Sequence, residues 1–499
     1  MAMKKVFVIG AGPGGMAAAM LLAGRGYQVE VFDKQPYVGG RTSSFTKEGY
    51  TFDRGPTFLS MPYILEELFD SVGRRMDDYL SMIEIDPMYE LKFDELSLFP
   101  SRNQSETKKQ IDKLFPGEGQ GYLRFMKDTE KKMMALMPVL QNRHSSLLDY
   151  TKWRTLKALP QLSLGSSLYQ VLSSFFNDER LKFTFTFQSK YLGMSPWECP
   201  GAFSILSYME HKYGIFHPKG GLNQIPKAMA EVVREFGGKI HLNSGVQKLI
   251  TKNKKVVGIE LDGGERLHCD EVVINADFAH AMTTIVEEGE LTTYSRERLE
   301  KKKYSCSTFM IYAGVKKEYD LPHHTILFSS DYKKNVQEIT HSKVLSSDPS
   351  IYIQNASVTD PTLAPKGKSA MYLLAPVPNN FSLIDWEENK ESFRDLVYDQ
   401  IEKKTSFKGL RENLETEEII TPLDWQRDHH VFRGATFNLA HNLGQMMYFR
   451  PHNKFQELEN CWLVGGGTHP GSGLPTIFES ARITTNLLMD ADEGVKVSR

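Results

Sequence analysis

Apolar and polar positions along this 499-residue chain follow first a strand period and then a helix period. The opening "KKVFVIG" is a nearly continuous apolar run, the pattern of a parallel strand buried on both faces. "GPGGMAAAMLLAGRG" comes next as an alanine-rich helix ended by Gly24 and Gly26, and "YQVEVFD" returns to strand. From about Pro62 to Gly214 the pattern predicts mostly helix, with breaks at "FPGEGQGY" and "SLGSS". "QIPKAMAEVVREFGGKI" predicts a helix and then a strand. Short strands come after it, with turns at "KNKK" and "LDGGERL", before a buried strand in "DEVVINAD". Residues 300–450 read as mixed. The end predicts strand ("CWLV"), a loop too rich in Gly and Pro to be either regular element ("VGGGTHPGSGLP"), and a helix starting near Thr476. The pattern contains no internal repeat.

Composition narrows the class. Hydrophobic residues make up 40% and charged residues 24%, which is ordinary for a globular protein. The net charge of −2 gives no electrostatic reason to expect nucleic acid as a partner. Cys199, Cys269, Cys306 and Cys461 form no CxxC pair, so no disulfide framework or zinc site is expected, and a reducing, cytoplasmic setting fits. The pairs His323–His324 and His429–His430 lack the i, i+4 spacing that presents two ligands on one helical face, so no metal is expected. The start resembles a signal peptide only until the glycine turn interrupts its apolar stretch. No apolar run approaches the ~18 residues needed to span a bilayer.

The chemistry begins in "VIGAGPGG", which supplies G-x-G-x-x-G as Gly10, Gly12 and Gly15. In this motif the first glycine permits a tight turn and the second lets backbone approach a pyrophosphate. The third lets the helix pack closely on the sheet, and the helix N-terminus offers N–H groups to the anion. Asp33, ending the second strand, stands where a carboxylate accepts hydrogen bonds from the ribose hydroxyls. This constellation predicts a dinucleotide without choosing between NAD and FAD.

Three further stretches make that choice. "VGGRTSSFTKEGYTFDRGPTFL", "YGIFHPKGGLNQIPKAMA" and "GGGTHPGSGLPTIFESARIT" together resemble the bacterial phytoene and diapophytoene desaturases, which are FAD flavoproteins related to the amine oxidases. The resemblance is strongest in residues 1–65, 185–225, 270–280, 345–378 and 460–490, and weak in 75–180. It implies an α/β fold with a discontinuous, Rossmann-like, amine-oxidase-like FAD-binding domain (1–75, 215–285 and 455–499). A mainly helical α+β substrate domain (76–214 and 286–454) would face the membrane. It also implies that Gly40 and Arg41 run along the cofactor, with Arg41 offsetting phosphate charge, and that Gly55 and Pro56 approach the flavin. Val246 would lie near the adenine. Gly466, Gly467, Gly473 and Leu474 would close over the ring, with the last helix aiming its N-terminal dipole at the flavin's pyrimidine edge.

The implied reaction removes hydrogens from a C30 or C40 carotene precursor by hydride transfer to the flavin. "DPSIYIQNASVTDPTLAPKGKSAMYLLAPVPN" is slightly closer to the C30 branch, which points to diapophytoene. Two alternatives stand beside it. One is a carotenoid end-group oxygenase of the same group, which "THPG" disfavours. The other is a prenyl-binding protein like the Rab GDP-dissociation inhibitors, which the intact Gly10-Gly12-Gly15 loop with Asp33 disfavours. Glu210 and His469 are the candidate catalytic side chains, Glu210 as proton acceptor or as a structural carboxylate.

One stretch departs from the general charge balance. From Lys131 to Gln170 there are six Lys/Arg against one acid, with Met, Leu, Tyr150 and Trp153 interleaved. Peripheral attachment to a membrane surface and a solvated basic helix face both fit this pattern. Nothing in the pattern fixes the oligomeric state.

Overall fold

The computed structural model describes residues 4–141, 159–163, 165–492 and 494. Part of the basic Lys131–Gln170 stretch, including Arg143, Lys152, Arg154 and Lys157, lies outside them.

The continuous apolar strands become the centre of a five-stranded parallel sheet. Its spatial order is Lys239–His241, Gln28–Phe32, Lys5–Ile9, Glu271–Ile274 and Cys461–Leu463. Lys5–Ile9 has a strand at each edge and a core on each face, Val6 and Val8 on one side and Phe7 and Ile9 on the other, so almost every side chain is apolar. Helix Pro13–Gly24 is buried nearly throughout, and this is why its sequence has no polar face: Gln224–Glu235 and Leu474–Asp492 pack against it. The terminal helix begins at Leu474, two residues before the expected Thr476.

Residues 300–450 resolve into most of a seven-stranded sheet. Its order is Leu414–Ile420, Ser307–Val315, Ser369–Val377, Ile351–Asn355, His324–Leu327, Glu90–Lys92 and Ser97–Leu98. Helix Trp386–Lys404 covers one face with Trp386, Phe393, Val397 and Ile401. The opposite face sets tyrosines against the segment after the second glycine pair: Tyr312 Oη donates to Arg54 O (2.5 Å) and Tyr372 Oη to Gly55 O (2.8 Å).

The Pro62–Gly214 region is less helical than its pattern predicts. Helices Gln104–Leu114 and Gly119–Leu140 form as expected, but Met82–Ile85 pairs with Ile215–Pro218 and Glu90–Lys92 joins the large sheet beside His324–Leu327. These strands are two to four residues long, too short for a period to show; Met82–Ile85 and Glu90–Lys92 find partners distant in sequence, and Ser97–Leu98 pairs back on Glu90–Lys92. Lys132, one of the six basic residues of that stretch, is buried with Nζ 2.8 Å from Asp128 Oδ2, so it does not belong to an exposed basic face.

Candidate active site

Three loops leave neighbouring parallel strands at their C-terminal ends, where open α/β sheets bind ligands. They are Gly10–Gly15, Asn275–Asp277 and Val464–Gly473. Gly10 has φ +97° and its N–H donates to Phe32 O (2.8 Å), which makes the turn out of the first strand. A Cβ at Gly15 would lie 2.1 Å from Gly10 O, so the helix rests on the turn with no room for a side chain. Gly12 caps the helix N-terminus with no side-chain hydrogen bond and no acid in the first turn, which leaves that end electropositive.

Asn275 binds the glycine loops together. Its N–H donates to Ile9 O (2.8 Å) and its Nδ2 to Gly10 O (3.2 Å). Side chains added at Gly12, Gly14, Gly15 or Gly465 would each come within 3.0 Å of its amide. The sequence reading passed over Asn275; the signal was an amide inside the "INAD" strand end, between two glycine-rich loops.

Asp33 sits where the motif places it. Oδ2 accepts from Ala11 N (2.7 Å) and Oδ1 from Gln35 N (2.8 Å), which leaves lone pairs on both oxygens for sugar hydroxyls. Burial pushes its carboxyl above the usual range, while those two N–H groups oppose the shift. Ser244 N donates to Asp33 O (2.8 Å), which brings the chain toward Val246, a half-buried residue opening the strand beside this corner. Gly40 packs on Gly12: a Cβ there would meet Gly12 Cα at 3.2 Å. A Cβ at Gly55 would meet Arg41 O at 2.5 Å, and Pro56 is the next residue of the same segment.

Arg41 is committed differently from the expectation. Its guanidinium donates to Thr436 O (2.6 Å) and Asn438 Oδ1 (3.2 Å) and lies 3.5 Å from Asp277 Oδ2. It therefore ties the first loop to the chain leading into the second, and its charge is already partly met by a carboxylate.

The terminal loop rests on a residue the sequence reading did not single out. Arg450 is fully buried and, among the described residues, pairs with no carboxylate. It donates to Gly466 O (2.6 Å) and Thr468 O (3.1 Å) instead, and desolvation lowers its pKa to about 9, so it stays charged at neutral pH. Asn453 donates to His469 O (3.0 Å) and His469 N to Pro451 O (3.1 Å). Gly467 packs on Phe278, where an added Cβ would come within 2.5 Å of the Phe278 Cβ. Gly471 and Gly473 have φ of +143° and +112°, and a Cβ at Gly471 would lie 2.6 Å from His441 Nε2. His441 in turn accepts from Ser472 N (3.2 Å), and burial with the nearby Arg450 charge keeps it neutral.

Against this loop opens an apolar cleft whose empty space, open solvent included, is about 980 Å³. Met61, Ile64, Met137, Leu140, Leu206 and Met447 contribute to its wall, and the loop side contributes His469, Pro470, Gly471 and Ser472. His469 lines this cavity from the loop side. Glu210 does not line the cavity. It is buried beneath helix Ile205–Tyr213, accepting from Gln188 Nε2 (2.9 Å) and Tyr89 Oη (3.1 Å), and desolvation pushes its pKa up to about 7.

The glycine cradle, the uncapped helix end and the free capacity of Asp33 fit a dinucleotide running from the first loop to the terminal one. Comparison with known proteins supports the same assignment. The model of the flavin containing amine oxidoreductases matches residues 13–488. A 4,4'-diapophytoene desaturase (4,4'-diapolycopene-forming) of Methylomonas sp is 49% identical, over 97% of this chain and 95% of the relative. An all-trans-zeta-carotene desaturase of Myxococcus xanthus is 36% identical, over 97% and 93% respectively. Among solved structures, an oxidoreductase from Methanosarcina mazei has a TM-score of 0.64 at 19% identity, covering 97% of this chain and all of that one. A putrescine oxidase has 0.60 at 14%, over 98% and 99%, and a Rab GDI from Plasmodium falciparum has 0.52 at 14%, over 100% and 99%; these likenesses show the fold. The chain belongs to the flavin-containing amine oxidoreductases and, within them, to the carotenoid desaturases: it is an FAD-dependent oxidoreductase acting on carbon–carbon bonds.

Proposed function

We propose that this protein dehydrogenates 4,4'-diapophytoene, with phytoene as the longer alternative, one double bond at a time, in the cavity beside the terminal loop. The observation that carries the reading is the cavity itself: an apolar cleft with the flavin-side loop as part of its wall. A polyene offers nothing to hydrogen-bond, so an apolar, shape-selecting wall is what recognises it. Bound FAD supplies the acceptor for the hydride.

The protein's own work is positioning. Gly10, Gly12, Gly15 and Asp33 hold the nucleotide end, with Gly40, Arg41, Gly55, Pro56 and Val246 along its course. Gly466, Gly467, Gly473 and Leu474 lay main chain and a helix N-terminus against the ring end. Arg450 and Asn453 fix that loop from behind, which sets the spacing between cofactor and substrate carbon on which rate depends. The methionine and leucine wall excludes water from the developing charge. The domain division obeys the same logic: 1–75, 215–285 and 455–499 hold the cofactor, and 76–214 with 286–454 hold the substrate and face the membrane that stores it. Attachment would be peripheral, on the cytoplasmic side, through the basic residues of 131–170 other than the buried Lys132. No described helix is long and apolar enough to cross a bilayer.

The test is an anaerobic single turnover with diapophytoene in vesicles. Flavin bleaching with a red-shifted, oxygen-free product is the expected result. Absence of bleaching without oxygen, or a product carrying an atom from O₂, overturns the reading in favour of an oxygenase.

A further inference from the structure

Removing a hydride from one carbon leaves a proton to be taken from its neighbour, and Glu210 does not line the cavity. Among the described residues lining it, three side chains titrate: His441, His469 and Glu479. One of the three is an acid. Glu479 lies on the terminal helix one turn beyond Thr476, which also lines the cavity, so its position is set by the same helix that starts at the flavin loop.

Its surroundings are unusual for a structural carboxylate. The residue is 3% exposed. Oε1 accepts from Gln141 Nε2 at 3.3 Å, whereas Oε2 is buried with no hydrogen-bond partner among the described residues. Arg482 Nε stands 3.6 Å from Oε2, beyond hydrogen-bond range, and that guanidinium sends Nη2 to Glu67 Oε2 at 2.7 Å. A buried acceptor without a donor is costly unless it serves something. The space it borders is an apolar cavity, where a neutral hydrocarbon cannot satisfy it but a carbon acquiring positive charge can.

We propose that Glu479 is the proton acceptor of the dehydrogenation, taking the proton on Oε2 from the carbon adjacent to the one that yields hydride. This rests on the desaturase reading of the cavity. In the step, one C–H bond breaks with its electron pair leaving as hydride to FAD, which is reduced by two electrons. The adjacent C–H bond breaks, its pair becomes the new π bond, and its proton forms O–H on the carboxylate. The substrate is oxidised by two electrons, and the carboxylic acid returns its proton to solvent between turnovers. Before it takes the proton, the carboxylate anion also stabilises the cationic character of the polyene.

Burial raises the carboxyl's pKa, which makes it a better base than an exposed glutamate; Arg482 and the Gln141 hydrogen bond oppose that rise, and Glu67 adds to it. The groups around it are Arg482 on its own helix, Glu67 and Tyr63 on Pro62–Asp70, Gln141 at the end of Gly119–Leu140, and His441 and His469 on the same cavity. Burial keeps His441 neutral, and the Glu479→Gln variant separates the titration of Glu479 from that of His469 on the acid side of the rate profile.

The experiment uses the flavin-loaded protein and its Glu479→Gln and Glu479→Asp variants, mixed anaerobically with diapophytoene vesicles while flavin bleaching is recorded. Both variants are expected to stay yellow. Glu479→Gln should bleach at least ~100-fold more slowly, and Glu479→Asp should recover part of the rate. In the wild type the rate should fall toward acid pH, and Glu479→Gln should lose that limb. A Glu479→Gln variant bleaching at the wild-type rate overturns the assignment, and so does one that is slower with the acid limb intact. If Glu479→Gln does not fold, a wild-type rate that is flat toward acid pH overturns the assignment alone. Wild-type protein that stays yellow with substrate defeats the desaturase reading itself.

Discussion

Replacing Gly15 by alanine tests how the first loop holds the nucleotide. The added Cβ would sit 2.1 Å from Gly10 O and 3.0 Å from Asn275 Nδ2. The first contact is with backbone, so helix and turn must separate by ~1 Å, an overpacking cost of ~1–3 kcal/mol. Alanine regains ~1 kcal/mol of helix propensity over glycine, which leaves a net cost to the fold of roughly 0–2 kcal/mol. FAD suffers more, because the same shift draws the helix N–H groups away from the pyrophosphate. Losing one hydrogen bond to a charged group costs ~1.5–3 kcal/mol, roughly a 10- to 100-fold weaker Kd. Gly12→Ala is the internal control for the fold. Its φ of −69° and ψ of 174° suit alanine, and its clash at 2.8 Å is with the end of the Asn275 side chain, which can turn. Urea unfolding of flavin-stripped protein measures the first cost, and quenching of flavin fluorescence on titration measures the second. Gly15→Ala protein that is as stable as wild type and binds flavin as tightly would show that close helix–turn contact is not what this glycine provides.

Asp33→Ala should weaken FAD binding by ~1–3 kcal/mol through lost charge-assisted hydrogen bonds, read by the same titration; an unchanged Kd refutes the ribose role. Glu210 holds its proton in the native state up to about pH 7 and in the unfolded chain only to about 4.5, so its contribution is complete at low pH and is lost as pH rises through that window. The change amounts to ~3 kcal/mol, and Glu210→Gln should flatten the urea-derived stability between pH 4.5 and 7; a curve parallel to wild type counts against it. Changing Lys152, Arg154 and Lys157 to Glu should release the protein from anionic liposomes, at ~1 kcal/mol per basic residue near the surface, and unchanged sedimentation would leave the solvated-face reading.

The cofactor site was legible in the sequence to the extent that its requirements are local. The tight turn at Gly10 and the missing side chain at Gly15 are demands on single positions, so they appear as glycines at fixed spacing, and the terminal glycine loop announces itself in the same way. The continuous apolar runs are equally local, because a strand covered on both faces has no polar positions to spare. What the sequence could not contain is which distant residues meet. Asn275 locks two loops only because its strand lies between theirs in the sheet, and Arg450 supports Gly466 only where the returning chain passes behind the loop. Glu210 and Glu479 are both glutamates near family-like motifs, and nothing local distinguishes them. The packing of helix Ile205–Tyr213 turns one into the core, while the start of the terminal helix at the flavin loop turns the other into the cavity. The three- and four-residue strands Met82–Ile85 and Glu90–Lys92 exist only because edges from positions 215 and 324 are there to pair with. Local geometry is written residue by residue, whereas burial, partnership and the charge state of a side chain are properties of contacts between segments, and those contacts exist only once the chain has folded.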